Sequence, residues 1–271
     1  MVSVKPDYGI YNNGISFAYL NPNGKVITWG TTVSSNIQKD LSANIVKLIP
    51  AKHGYVALRS DGKVITFSNE NTDNRGDHYN HTFSISNGEN KDFIDIYSSE
   101  RCWYGIKGDG TIMHWGENNL FLNINNNIYN NTQHKFKEVS TLHSGFFALK
   151  QDNSAIANDR KSKIYDTYNE NGNFYNNVKK IYTTAHAALV LYTDGSIKLF
   201  GDNTYGNYFT YGYSIKNHDG SLMGISELNG NIKDIYPTKT MFYILTKDNA
   251  VYYVGKEADG NINSTQFSKV S

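Results

Sequence analysis

Apolar residues along the chain recur in short alternating runs. Six segments share one pattern: alternation, a turn led by Asp or Asn, then alternation ending in an aromatic residue and often Gly. They are Ile15–Gly30, Gly54–Asn69, Trp103–Asn118, Gly145–Arg160, Ala187–Asn203 and Met241–Lys256. A period of two puts successive side chains on opposite faces, which is the mark of a half-buried strand. Two such runs joined by Asn-Gly or Asp-Gly predict a tight hairpin. A two-residue type I′ turn is expected there, with positive φ at both central residues. In two copies Asp152-Asn153 and Asp248-Asn249 put Asn, the next most tolerant residue, where the others have Gly.

The turn residues Asn23, Asp61, Asp109, Asp152, Asp194 and Asp248 are separated by 38, 48, 43, 42 and 54 residues, a mean of 45. That period predicts a repeat array rather than a chain of unrelated elements. A further strand precedes each hairpin after the first: Ile45–Ile49, Phe93–Tyr97, Phe136–Ser140, Val178–Tyr182 and Ile232–Tyr236. The first copy shows no clear equivalent. Phe267–Ser271 reads like Phe136–Ser140 and is expected to supply it, closing the array and hiding its open edges. No long helical period and no linker composition is present, so residues 1–271 are expected to form a single all-β domain.

Composition narrows the class. Of 271 residues, 14% are aromatic and 39% hydrophobic, which demands a packed core despite only 19% charged residues. The net charge of +1 argues against a nucleic-acid partner held by bulk electrostatics. No apolar stretch is long enough to span a bilayer, and the first residues carry no apolar signal segment. The expected location is cytoplasmic, or outside the cell of origin by an unconventional route. The lone Cys102 excludes intrachain disulfides and Cys-based zinc sites. Asn numbers 35 and Tyr 21, with Lys far ahead of Arg. AT-rich coding explains that bias, and a Tyr/Asn recognition surface is the functional alternative.

Ala57-Leu58 with Asp61-Gly62, Asp109-Gly110 with Trp115-Gly116, Ala148-Leu149, and Phe200-Gly201 followed by Asn203, Tyr205-Gly206 and Asn207 resemble the regulator-of-chromosome-condensation repeat. Asn23-Gly24 and Trp29-Gly30 extend the likeness to the first copy. The resemblance runs over nearly the whole chain. It implies a β-propeller of four-stranded blades, about six here against the seven common in that family. Family members include exchange factors for the small GTPase Ran, a secreted inhibitor of β-lactamases, and bacterial effectors acting on host GTPases. They have in common protein binding by one face of the ring. The resemblance therefore implies a non-catalytic, monomeric protein-binding propeller without cofactor. Its most concrete form is a bacterial effector that binds a host small GTPase and promotes nucleotide exchange. An enzyme inhibitor and a carbohydrate-binding propeller are the alternatives.

In the exchange factors of that family, functional side chains lie in the short loop before the Ala-Leu strand. The matching stretches here contain Lys52 and His53, Glu100 and Arg101, His143, His186, and Lys239. Only Glu100 keeps the acidic residue, and the Gly and His positions of the family loop are largely replaced. Glu100, Arg101 and Trp103 form the most interface-like cluster, because Arg and Trp dominate binding energy where they meet a partner. Packing between blades is the alternative role for Trp103. The insertion after Gly201 carries Tyr205, Tyr208 and Tyr211, a second candidate partner-binding surface. Trp29 and Trp115 stand at the structural Trp-Gly position and are expected in the core. Asp77, His78 and His81 share a polar loop, but two imidazoles and one carboxylate without a further ligand make a poor metal site. No phosphate-binding loop, zinc-protease or nucleophile-elbow motif occurs, so no catalytic residue is expected.

Overall fold

The computed structural model describes residues 6–31, 33–51, 54–68, 88–99, 102–116, 132–142, 145–159, 175–185, 187–201, 214–216, 222–224 and 228–255. Six antiparallel sheets account for more than half of them. The first is β1 (Gly9–Asn12), β2 (Phe17–Leu20) and β3 (Val26–Trp29), followed by the short helix α1 (Ser35–Asp40). The second is β4 (Ile45–Ala51), β5 (Gly54–Arg59) and β6 (Val64–Ser68), and the third β7 (Phe93–Ser98), β8 (Cys102–Lys107) and β9 (Ile112–Gly116). The fourth is β10 (Phe136–Thr141), β11 (Gly145–Lys150) and β12 (Ala155–Asp159), and the fifth β13 (Val178–Thr183), β14 (Ala187–Tyr192) and β15 (Ile197–Gly201). The sixth has β18 (Ile232–Pro237), β19 (Met241–Thr246) and β20 (Val251–Gly255), extended at the β20 edge by β16 (Ser214–Lys216) and β17 (Leu222–Gly224).

Each repeat thus yields one sheet. Among the described residues five sheets have three strands rather than the four expected. The strand before the first hairpin is Gly9–Asn12, paired with β2 from Gly9 opposite Leu20 to Asn12 opposite Phe17. Gly and Asn interrupt its alternation, so no period of two marks it in the sequence. The place expected for Phe267–Ser271 is therefore filled locally, and that segment lies outside the described residues.

The hairpin turns also differ from expectation in a definite way. Positive φ occurs only at the last loop residue, at Gly24, Gly62, Gly110, Asn153, Gly195 and Asn249, and not at the Asp or Asn before it. In the second sheet Gly62 N–H donates to Arg59 C=O and Arg59 N–H to Lys63 C=O. This is a three-residue loop, a type I turn followed by a left-handed residue, which needs only one positive φ. The Asp carboxylate braces it. Asp109 Oδ1 accepts from Thr111 N–H at 2.9 Å and from its hydroxyl at 2.7 Å, and Asp152 and Asp194 do the same with Ser154 and Ser196.

The turns dock on the next repeat. Gly24 C=O accepts from Ile45 N–H at 2.9 Å, Gly62 from Phe93 at 3.0 Å, Gly110 from Phe136 at 2.9 Å, and Asn153 from Val178 at 2.8 Å. The residue before each of these strands is left-handed: Asn44, Asp92, Lys135 and Asn177. Several Asn residues therefore serve backbone positions where β-carbon strain is tolerated best by Asn, Asp or Gly.

The chain divides into two compact units, 1–139 and 140–271. Within each, one core lies between every pair of consecutive sheets. In the first unit Ala18, Leu20 and Val26 of the first sheet meet Tyr55, Ala57, Ile65 and Phe67 of the second. The opposite face of the second sheet, Val56, Leu58 and Val64, meets Phe93, Trp103 and Trp115 of the third. In the second unit Phe147 and Leu149 meet Ala188 and Val190. Leu189, Leu191 and Leu199 on the far face of that fifth sheet meet Phe242, Ile244 and Val254 of the sixth. The central strands β5, β8, β11 and β14 are each buried at five successive positions, on both faces, which explains their nearly continuous apolar sequence. First strands of neighbouring sheets also meet: Lys47 on β4 bridges Asp95 on β7 at 2.6 Å, and Tyr97 donates to the same carboxylate at 2.8 Å. Burial first, then the nearby Asp95 charge, push the Tyr97 hydroxyl far above its ordinary pKa.

Candidate protein-binding end

The candidate loops are the hairpins that join first to second strands. Their frame is uniform. Ser99 N–H donates to Cys102 C=O, Leu142 to Gly145, Thr184 to Ala187 and Thr238 to Met241, each at 2.8 Å. A side-chain oxygen returns the bond. Ser99 Oγ accepts from Cys102 N–H at 3.1 Å, Thr184 Oγ1 from Ala187 N–H at 3.0 Å, and Thr238 Oγ1 from Met241 N–H at 3.0 Å. In the first sheet Asn13 Oδ1 plays this part toward Ser16 N–H at 2.8 Å. In the second, Ala51 pairs with Gly54 directly. Each loop therefore holds two residues between a closed pair, and in four of the six a short polar side chain braces that pair.

Neighbouring tips touch. In the second unit Ala185 N–H donates to Lys239 C=O at 3.1 Å, joining the fifth and sixth tips. In the first unit Tyr55 Oη donates to Ser16 C=O at 2.6 Å, and Ser98 Oγ to Pro50 C=O at 3.2 Å. Third strands end at this same end of their sheets, since Gly54 is opposite Ser68, Cys102 opposite Gly116, Gly145 opposite Asp159, Ala187 opposite Gly201 and Met241 opposite Gly255. The long segments between repeats all leave from the tip end of their sheets.

The predicted residues distribute as follows. Lys52, His53, Glu100, Arg101 and His143 belong by sequence to the two-residue tips and lie outside the described residues. Tyr205, Tyr208 and Tyr211 also lie outside them, as do Asp77, His78 and His81. The insertion that carries the tyrosines leads into β16, whose Lys216 pairs with Tyr253. Trp103 is 2% exposed and stacks on Trp115 with ring centroids 6.5 Å apart. It is a packing residue between the second and third sheets, not a surface contact, because it shares their common core with Val56, Leu58 and Val64. Trp115 is buried as expected. Trp29 departs from expectation at 49% exposed, since the first sheet packs on the second by its opposite face, through Ala18, Leu20 and Val26. Lys239, which the sequence placed in a matching loop, and its neighbour Thr240 form the one tip of the second unit with both central residues described. Their signal was positional only: they precede the sixth apolar run as Glu100-Arg101 precede the third. Among the described residues no three His, Cys, Asp or Glu side chains gather as a metal site. No helix among them is long and apolar enough to cross a membrane.

No family model and no curated protein sequence matches the chain. Solved structures do. Human WBSCR16 aligns with a TM-score of 0.57 at 11% identity, covering 93% of this chain and 78% of its own. The CRINKLY WD40 ectodomain of the Arabidopsis thaliana receptor kinase ACR4 aligns at 0.52 and 9%, covering 92% and 80%. Prp20p of Saccharomyces cerevisiae aligns at 0.52 and 13%, covering 91% and 71%. At such identities the likeness speaks for architecture alone. With the sheet-by-sheet cores above, it makes the fold that of a β-propeller.

Proposed function

We propose that this chain is a non-catalytic propeller that binds a protein partner with the tip end of its sheets. The observation that carries the reading is the bond from Ala185 N–H to Lys239 C=O, which sets successive tips side by side. Short loops held by their own hydrogen bonds lose little entropy on binding, so they suit a preformed contact surface. Prp20p is a precedent for protein binding on this architecture, its crystal structure having been described with its binding properties to Gsp1p and histones.

The partner we assign is a small GTPase, with the chain acting as a bacterial effector in a host cell. Tip residues, Glu100 and Arg101 first among them, would contact the nucleotide-binding side of the GTPase. By binding the nucleotide-free form more tightly they would shift the population toward it. The experiment is release of a fluorescent nucleotide from a panel of small GTPases. Faster release with the wild-type chain, lost in a Glu100→Ala, Arg101→Ala double variant, is the expected result. A panel in which no GTPase releases faster or forms a complex sinks the assignment.

A further inference from the structure

Five of the six hairpin turns use their Asp side chain in the same way. Oδ1 of Asp61, Asp109, Asp152 and Asp194 accepts from the N–H two residues on, that of Lys63, Thr111, Ser154 and Ser196. Asp248 accepts likewise from Ala250 N–H. The first turn is built differently. Pro22 and Asn23 are its central residues, and Gly24, with φ +73°, is the left-handed one. Lys25 N–H, the equivalent donor, goes instead to Asn21 Oδ1 at 2.9 Å, and Asn23 N–H goes to the same oxygen at 3.0 Å. Asn21 thus braces the turn from two positions earlier. The exposed side-chain amide of Asn23 makes no hydrogen bond among the described residues. Two other Asn-Gly pairs have both residues described, and their amides are tied. Asn13 Oδ1 accepts from Ser16 N–H at 2.8 Å and from Ile15 N–H at 3.1 Å, and Asn229 Oδ1 accepts from Ile197 N–H at 3.2 Å.

We propose that Asn23-Gly24 is a deamidation site of the native chain. Gly24 N loses its proton and attacks Asn23 Cγ. A C–N bond forms, the Cγ–Nδ2 bond breaks, and the amide nitrogen leaves as ammonia with that proton. The resulting succinimide takes up one water and opens at either carbonyl, to aspartate or to isoaspartate. Glycine favours the attack because no Cβ shields its nitrogen. Gly24 N–H donates to Asn21 C=O at 2.9 Å, so the step proceeds through local opening of the turn. At Asn13 and Asn229 the side chain must break further bonds before it can react, which holds those pairs back. The two products differ in effect. Aspartate reproduces the Asp-Gly of the later copies and takes the net charge from +1 to zero. Isoaspartate adds a main-chain carbon where there is no slack: a Cβ on Gly24 would lie 2.8 Å from Asn44 N, and Gly24 C=O accepts from Ile45 N–H at 2.9 Å. It therefore loosens the docking of the first turn on the second sheet. The site is at the opposite end of the hairpin from the tips, since Leu20 lies opposite Val26 and Phe17 opposite Trp29, and is independent of the partner proposed above.

The test is ageing of the full native chain in mildly alkaline buffer, followed by peptide mapping with mass spectrometry at Asn13, Asn23 and Asn229. The same chain unfolded in urea is the reference, where the three pairs should convert at similar rates. In the native chain Asn23 should gain one mass unit several-fold faster than Asn13 or Asn229. The fraction carrying isoaspartate should show faster amide exchange at Ile45, with exchange at Phe93, docked by the second turn, unchanged. An Asn23→Ser variant should age without that loss of protection at Ile45. An Asn23 that stays amidated in the native chain while it converts in urea overturns the proposal. So does conversion of Asn13 or Asn229 as fast as that of Asn23.

Discussion

At the scale of single residues, the Asp and Gly of each turn do separate work. Gly110 has φ +85°, and an added Cβ would come within 2.6 Å of Lys135 Cα. Gly110→Ala meets both backbone strain and a backbone collision, so it should lower unfolding free energy by more than about 1 kcal/mol. Chemical denaturation compared with wild type reads this directly. The turn carboxylates make stability depend on pH. Asp61 is held down to about 2, chiefly by its hydrogen bond from Arg59, and Asp152 to about 2, chiefly by that from Ser154. Their unfolded values are about 3.9. The folded state therefore binds fewer protons, and their contribution is whole above about pH 4 and lost as pH falls toward 2. Denaturation midpoints should drop over that window, and Asp152→Asn should flatten part of the fall. An unchanged slope in the variant would show that the carboxylate is not the source. The Asp-Gly pairs were legible in the sequence. That the loop has three residues was not, because the hydrogen bond choosing between turn types involves the flanking backbone rather than the pair itself.

At the scale of elements, side-chain hydroxyls close the tip hairpins. Thr238 Oγ1 accepts from both Met241 and Thr240 N–H. Thr238→Val keeps the shape and removes the acceptor, which costs about 1 kcal/mol. Amide exchange at Met241 should accelerate while the Asp248 turn at the other end of β19 keeps its protection. Equal acceleration at both ends would mean that the hydroxyl holds nothing locally. Strands with a clean apolar run, such as β5 and β14, could be read from sequence with nearly correct bounds. β1 could not, since Gly9-Ile10-Tyr11-Asn12 forms a strand only because β2 offers it a paired edge. The insertion after Gly201 read as one long loop, yet Ser214–Lys216 and Leu222–Gly224 extend the sixth sheet. Three-residue strands carry too few positions for a period of two to show.

At the scale of the whole molecule, stability is built from contacts between consecutive sheets, as in other repeat architectures. Leu58 lies fully buried between the second and third sheets. Leu58→Ala should cost about 2–5 kcal/mol. Its effect on hydrogen exchange should be concentrated in β4–β9, with little change in β1–β3 beyond the neighbouring sheet's share. Uniform loss of protection would instead indicate one indivisible core. By itself the sequence determined the repeat, the all-β class, the hairpins and most of the core, because strand period and turn chemistry are local and each was written six times. Tertiary structure alone decided which aromatics are surface. Trp115 and Trp29 occupy the same Trp-Gly position in their runs, yet packing on the second sheet buries Trp115 while Trp29 stands 49% exposed. Adjacency of the tips was likewise invisible along the chain, since Ala185 and Lys239 are joined by the stacking of two sheets and not by any local pattern.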